Sequence, residues 1–510
     1  MSSVRKKLAP AVAIGACVGL ALTTTPAAAD QSAAPPGPAL AKQLVRKVNV
    51  ANINRHLIAF QRISDSTSGN RAASTEGHRR SAEYIAGKLE AAGYEVTRQE
   101  FPFTYSETLA EKLTVAGESV PILIMSYSPS TPVGGITAPL AVIPPDDTPG
   151  CEVGDYGDVT GKIALIKRGA CTFAQKQASA ADAGAVGAIV YNNVPGDING
   201  TLGDPSAGRI PTGGISQEAG QALLDKDGAS TTLELRALQE ERTTYNVIAE
   251  TKTGRKDNVV MAGAHLDSVT HGAGINDNGT GSAALLETAL RLGGSPKVNN
   301  AVRFAWWSAE EFGLVGSEYY VDQLSFERQL DISMYLNFDM IGSPNAGYFV
   351  YDGDNSDGVG AGPGPYGSGQ IEQRFAEYIE SIGVPTEGTD FTGRSDYGPF
   401  IAVGIPSGGL FTGAEQVKTE AQAAKWGGRA GIAYDPCYHQ ECDNLGNVDR
   451  TALDRNADAA AWVIASYGIS TEEVNGVAPM AAKNKKETAK QRASQQRMMA
   501  AHADEHALAS

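Results

Sequence analysis

Five short motifs carry residues whose types and spacing suit one chemistry. Ala264-His265-Leu266-Asp267 offers an imidazole and a carboxylate. Gly274-Ile275-Asn276-Asp277-Asn278-Gly279 offers a carboxylate within a stretch rich in turn-forming residues. Ser308-Ala309-Glu310-Glu311 pairs two carboxylates, and Asn337-Phe338-Asp339-Met340 adds another. Cys437-Tyr438-His439-Gln440-Glu441-Cys442 supplies a second His. Hydrolytic zinc takes imidazole nitrogen and carboxylate oxygen and keeps a position open for water. Two such ions, roughly 3.5–4 Å apart, share one carboxylate and need two more protein ligands each. Two His and three carboxylates satisfy both. A further carboxylate, off the metals, has to take the proton of the attacking water. Glu310 beside Glu311 suits that task, because neighbouring loop residues can point in different directions. Singly, each motif has a plainer reading: a surface hydrogen bond, a solvated Glu pair, a turn, a disulfide. Their combination points to a metal site.

The elements that must position these residues are visible as apolar runs. Residues 259–263, 301–307, 333–338 and 407–411 are nearly continuously apolar, as strands buried on both faces are. The first four motifs lie just past such strands or open a helix, and open α/β sheets bind ligands at the carboxyl ends of their strands. Upstream, Leu57, Phe60 and Ile63, then Ala82, Ile85 and Leu89, recur at helical steps before a strand opens near Tyr94. Between about Pro102 and Thr243 strand-like runs dominate, at 120–125, 140–143, 162–166 and 187–191, separated by Gly- and Pro-rich turns. The economical reading is an α/β domain over 47–102 plus 244–470, interrupted by a β-rich insertion at 103–243.

The 510 residues leave room for two or three domains, each with its own core. The formal charge of -16 repels phosphate and argues against nucleic acid and anionic membranes as partners. Arg5, Lys6 and Lys7, the apolar run from Leu8 to Leu22, and Ala27-Ala28-Ala29 read as an export signal over 1–29, giving a secreted chain that begins at Asp30. A lipoprotein reading with Cys17 as the modified residue fits less well, since the apolar run continues past it. Residues 30–46 read as a linker or propeptide, and 471–510, rich in Ala, Lys, Gln, Glu and Met, as a flexible tail. The four remaining cysteines allow three pairings. The local one, Cys151–Cys171 and Cys437–Cys442, is preferred because its pairs fall in separate segments.

The stretches GAHLDSV, GINDNGTGSAALLE, FAWWSAEEFGLVGSEYY, YLNFDMIGSPN, GRSDYGPFIAVGIPSGGLFTGAE and DPCYHQECDN resemble the M28 family of zinc exopeptidases, closely its secreted, leucine-preferring aminopeptidases of streptomycetes. Residues 161–193 resemble a protease-associated (PA) domain. The resemblance implies a three-layer α/β/α fold with a mixed central sheet and a PA insertion. It implies that Asp277 bridges two zinc ions, with His265 and Asp339 completing one and Glu311 and His439 the other. Glu310 matches the general base, and Asp267 a residue that holds the His265 ring from behind. Tyr438 matches a tyrosine that stabilises the oxyanion. Arg394 matches a residue at the substrate's end-recognition site, with Phe411 and Met340 lining the first side-chain pocket. It also implies a cis Asp277–Asn278 bond and, on Asp454 and Asp458, a calcium site. The expected activity is removal of an apolar amino-terminal residue, such as Leu, from peptides and proteins by a monomer. Two alternatives stand beside it: a carboxypeptidase in which Arg394 grips a substrate carboxylate, and a binding protein without catalysis.

Overall fold

In this computed structural model of the chain, residues 38–478 are described, apart from 199, 204, 205, 359 and 361. The expected export signal, its cleavage site, Cys17 and the chain beyond 478 lie outside them. Two capped helices lie near the start of the larger body. Asn49 caps Val50–Asp65 by accepting from Asn52 N, and Thr75 caps Glu76–Ala91 by accepting from His78 N. Their stripes, Ile53, Leu57 and Phe60, then Ala82, Ile85 and Leu89, are fully buried. Gly93, at φ +88, ends the second helix in the left-handed conformation that suits glycine.

The sheet of the larger body runs Glu387–Thr389, Phe349–Tyr351, Ser407–Phe411, Ile332–Phe338, Arg255–His265, Asn300–Trp307, Ser230–Glu250 and Glu95–Val115. The four strands from Ser407–Phe411 to Asn300–Trp307 are mutually parallel. Antiparallel pairs flank them on both sides, so the sheet is mixed. Alternate strand residues feed two cores. Val260, Ala262, Phe304, Met334 and Leu336 pack with the helices Val50–Asp65, Glu76–Ala91, Gly281–Leu292 and Arg450–Ile469. Met261, Ala305, Trp307 and Tyr335 pack on the other face with Tyr320, Leu330 and Phe400. The body is therefore three-layered. A smaller body holds the parallel strands Ile136–Val142, Ile163–Lys167, Gly187–Tyr191 and Thr212–Ile215 around Leu140, Ile163, Leu165 and Ile189.

The structure corrects four boundaries. Glu95–Val115 and Ser230–Glu250 are continuous 21-residue strands that pair from Glu95↔Glu250 to Val115↔Thr231. The expected edges of the insertion, 102/103 and 243/244, fall in mid-strand, where alternating Phe101, Phe103 and Tyr105 bury one face. The run at 120–125 is two short strands, Glu118–Val120 and Leu123–Ile124, because Pro121 between them has no N–H to pair. The expected linker 30–46 contains the helix Ala39–Val45, whose Ala41 and Leu44 are buried in the main core. The expected tail does not start at 471. Asn258 Nδ2 donates to Thr471 Oγ1, Asn475 Nδ2 donates to Asn258 Oδ1, and Val474 is buried. No helix among the described residues is long and apolar enough to cross a membrane.

Candidate active site

The expected ligands and base converge at the carboxyl edge of the parallel strands. His265 ends its strand, Glu310 and Glu311 follow Trp307, Asp339 follows Phe338, the kinked helical turn Ile275–Thr280 brings in Asp277, and a loop brings in His439. His265 Nε2 lies 3.3 Å from Asp277 Oδ1 and 3.3 Å from Asp339 Oδ1. His439 Nε2 lies 3.2 Å from Asp277 Oδ2 and 3.0 Å from Glu311 Oε2. Two sets share Asp277, namely His265, Asp277 and Asp339, and Asp277, Glu311 and His439, each with its donor atoms within 4.8 Å of one another. Asp277 belongs to both and turns one oxygen to each imidazole. Glu310 Oε2 lies 3.8 Å from His265 Nε2; it groups with His265 and Glu311 but is absent from the set around His439. Asp339 Oδ1 and Glu311 Oε1 are buried without a hydrogen-bond partner. Orphaned buried acceptors are costly, and a cation between them removes that cost. Imidazoles with carboxylates are the donor set that zinc takes.

Electrostatics of the metal-free chain point the same way. Burial opposes charge on His265, but Glu310 and Asp339, with Asp277, hold its pKa well above the ordinary value. His439 is raised to about 11, its burial outweighed by Asp277 and Glu311. Burial, reinforced by Asp277, pushes Glu311 up to about 7. Burial, with Asp396, Asp339 and Glu311 nearby, pushes Glu310 well above the carboxylate range, against the pull of His265. Asp277 is lowered, since His265 and His439 overcome its burial. Negative charge is crowded here, and positive charge relieves it.

Asp267 needs correction. His265 Nδ1 faces the backbone carbonyl of Asp267 at 3.1 Å, while its carboxylate stands 3.9 Å away. That carboxylate instead accepts from Glu310 N at 3.2 Å and Glu311 N at 3.3 Å. It fixes the glutamate turn, and the carbonyl orients the ring.

Several positioning residues escape sequence reading. Arg71 is fully buried and donates to the carbonyls of Leu266, Ala273 and Gly274, tying together the loops that carry His265 and Asp277. Asp443 accepts from Asn276 N and Asp277 N. A buried relay runs from Trp307 Nε1 to Tyr335 OH, on to Asn337 Oδ1, then from Asn337 Nδ2 to Ser395 Oγ, which donates to Asp339 Oδ2 at 2.6 Å. It occupies one oxygen of Asp339 and leaves Oδ1 to the metal side. The Asp277–Asn278 bond is cis, and Ala309, Met340 and His439 hold positive φ. The cis bond is the one the resemblance implies; the rest is not local in sequence, since the partners are distant and left-handed Ala, Met or His carries no compositional mark.

A cavity of about 710 Å³ opens over the cluster, lined by Met340, Phe349, Tyr351, Phe411, Arg394 and Tyr438 among others. Arg394 donates to Glu415 Oε1 at 2.7 Å and to Tyr438 OH at 3.2 Å. The Tyr438 ring stacks on His439, with centroids 3.8 Å apart. Cys437–Cys442 closes the loop carrying both, and Cys151–Cys171 is also bonded. Asp454 Oδ1 accepts from Val50 N, and no third His, Cys or carboxylate joins Asp454 and Asp458 among the described residues.

Residues 246–464 match the description Peptidase family M28, and 136–223 match the PA domain. The chain is 44% identical over 454 residues to a Mycobacterium tuberculosis protein described as a probable lipoprotein aminopeptidase, covering 87% of this chain and 91% of that one. It is 45% identical over 433 residues to leucine aminopeptidase 2 of Trichophyton tonsurans, covering 84% and 86%. The chain belongs to peptidase family M28. Its fold is similar to that of a zinc aminopeptidase from Bacillus subtilis, at 28% identity and a TM-score of 0.57 over 84% of this chain and 95% of that one. The M28 match covers every ligand motif, and the PA match lies wholly between the two long strands.

Proposed function

We propose that this chain is a secreted dizinc aminopeptidase that removes an apolar amino-terminal residue, such as Leu, from peptides and proteins. The observation that carries the reading is Asp277, one oxygen toward each imidazole, shared by two ligand sets. His265, Asp277 and Asp339 would hold one ion, and Asp277, Glu311 and His439 the other. When bound, zinc supplies Lewis acidity, polarising the scissile carbonyl and making water acidic near neutral pH. Glu310, held at its backbone by Asp267, takes the proton of the attacking water and passes it to the departing amine. Tyr438 accepts from Arg394, so its own hydroxyl hydrogen is free to be donated to the substrate carbonyl oxygen. Met340, Phe349 and Phe411 offer an apolar wall for the first side chain.

Two observations weigh against the alternatives. Arg394 is already paired with Glu415, so it is not a free grip for a substrate carboxylate, whereas Glu310 and Asp339 face the cavity and attract a free amino group. The complete ligand sets favour an enzyme over a binding protein. Leucine p-nitroanilide is the expected substrate, and an amino-blocked peptide is expected to be resistant. Cleavage of only the blocked peptide would overturn the reading, as would purified protein without zinc or chelator-sensitive activity. Sequencing the amino terminus of secreted protein checks export, with Asp30 expected first.

A further inference from the structure

Glu310 and Glu311 sit in a turn between Trp307 and Val315 that belongs to no strand or helix. On the metal side this turn is held through its backbone by Asp267. On the far side the next residue, Phe312, packs against Phe103 and Tyr105, with ring centroids 5.3 Å from each. Those two rings stand on Glu95–Val115, the strand that leads into the PA domain. The returning strand adds Arg242, whose guanidinium carbon lies 3.4 Å from the Tyr105 ring centroid, and Leu238. Ala309 and Leu314 bracket the turn at φ +59 and +61. Non-glycine residues keep such conformations only when their surroundings fix them.

We infer that Phe312, Phe103 and Tyr105 form a clamp through which the hairpin carrying the PA domain positions Glu310. This deepens the proposed function and rests on its reading of Glu310 as the base. Phe312 is a positioning residue, acting through the backbone of its neighbours. Asp267 holds the metal side, and the start of the turn is tied by Ser308, whose N donates to Asn246 Oδ1 and whose hydroxyl pairs with Thr244, but neither reaches the outer side at Phe312. The aromatic clamp fixes that outer side. Proton transfer falls steeply with sub-ångström misplacement, so a loosened turn slows chemistry more than it weakens substrate binding.

The test uses full-length, zinc-loaded protein and the variants Phe312→Ala, Tyr105→Ala, their combination, and Phe312→Leu. Each single Ala variant should lower kcat on leucine p-nitroanilide by about tenfold or more, with KM changed far less. Zinc content should stay at the wild-type value, and amide hydrogen exchange of 308–314 should accelerate. The double variant should be little worse than either single one, because both remove the same contact. Phe312→Leu, which keeps apolar bulk, should recover much of kcat. Should Tyr105→Ala not fold, Tyr105→Leu reports through the same two measurements. Wild-type kcat together with wild-type exchange of 308–314 in the Tyr105 variant would overturn the clamp. Exchange reads the turn without turnover, so a wild type that takes up no zinc or leaves leucine p-nitroanilide intact defeats the proposed function and not the clamp.

Discussion

Glu310 and Glu311 are adjacent and chemically identical, and only their surroundings separate them. Glu311 Oε2 lies 3.0 Å from His439, whereas Glu310 stands 3.8 Å from His265 and outside the His439 set. Glu310→Gln should therefore keep its zinc and lose kcat by at least ~10²-fold, the usual loss for an acid–base group. Glu311→Gln should lose zinc. Metal content of the two variants checks this, and the opposite pattern would reverse the two roles. The imidazoles make a second prediction. In the metal-free chain, against burial that opposes charge on both, Asp277 and Glu311 raise His439 to about 11, and Glu310 and Asp339 hold the pKa of His265 well above its ordinary value. Zinc needs both neutral, so uptake releases protons and strengthens as pH rises toward those raised values. Calorimetry of zinc binding in buffers of different ionisation heat should show this release. Identical heats in all buffers would contradict it.

At the level of elements, the helix Arg450–Ile469 ties one member of an acidic pair to a distant helix start. Asp454 accepts from Val50 N, a free donor in the first turn of Val50–Asp65, where a carboxylate also meets the positive end of the helix dipole. Burial, with Asp454 nearby, raises Asp458 to about 7. Its folded pKa lies above its unfolded value, so stability is lost as pH rises from the ordinary carboxylate range through about 7. Asp458→Asn should raise the thermal midpoint at pH 8 by a few degrees, about 3 °C, with no gain at pH 4. Calorimetry at the two pH values measures both, and destabilisation at pH 8 would mean that the charged form is used. Elements were legible in sequence where burial was two-sided. Residues 187–191 and 407–411 are read at their true bounds. His265, Glu310, Glu311 and Asp339 were legible because they end or follow the buried strands Arg255–His265, Asn300–Trp307 and Ile332–Phe338, and a strand end fixes where the next residues lie. The long hairpin was not legible. Glu95, Arg98 and Glu100 stand among its apolar residues, and its order comes from a partner strand far along the chain. Ser395 and Arg71 were hidden for the same reason, since their partners lie on other loops.

For the whole molecule, the two bodies share strands, so the insertion cannot be cut away at any convenient loop. Removing 109–236 and closing Thr108 to Ala237 with an Asn-Gly turn keeps Phe103, Tyr105 and Arg242 paired. That protein should fold, bind zinc and cleave leucine p-nitroanilide. Removing 103–243 strips Phe312 of its cage and should leave zinc-binding protein of much lower kcat. Equal kcat in the two deletions would refute the distinction. The ends of the larger body meet as well. Val50 N bonds to Asp454, 404 residues away, Arg450 donates to Asn54, and Leu445 N donates to Gln61. The consequence is one of timing. A polypeptide is made from its amino end, and His439, the last of the ligands, joins the first four only after the loop behind it has emerged. Every shorter nascent chain lacks a ligand and the closing helix together. On the proposed ligand set, a nascent chain or fragment ending before His439 should not cut a peptide.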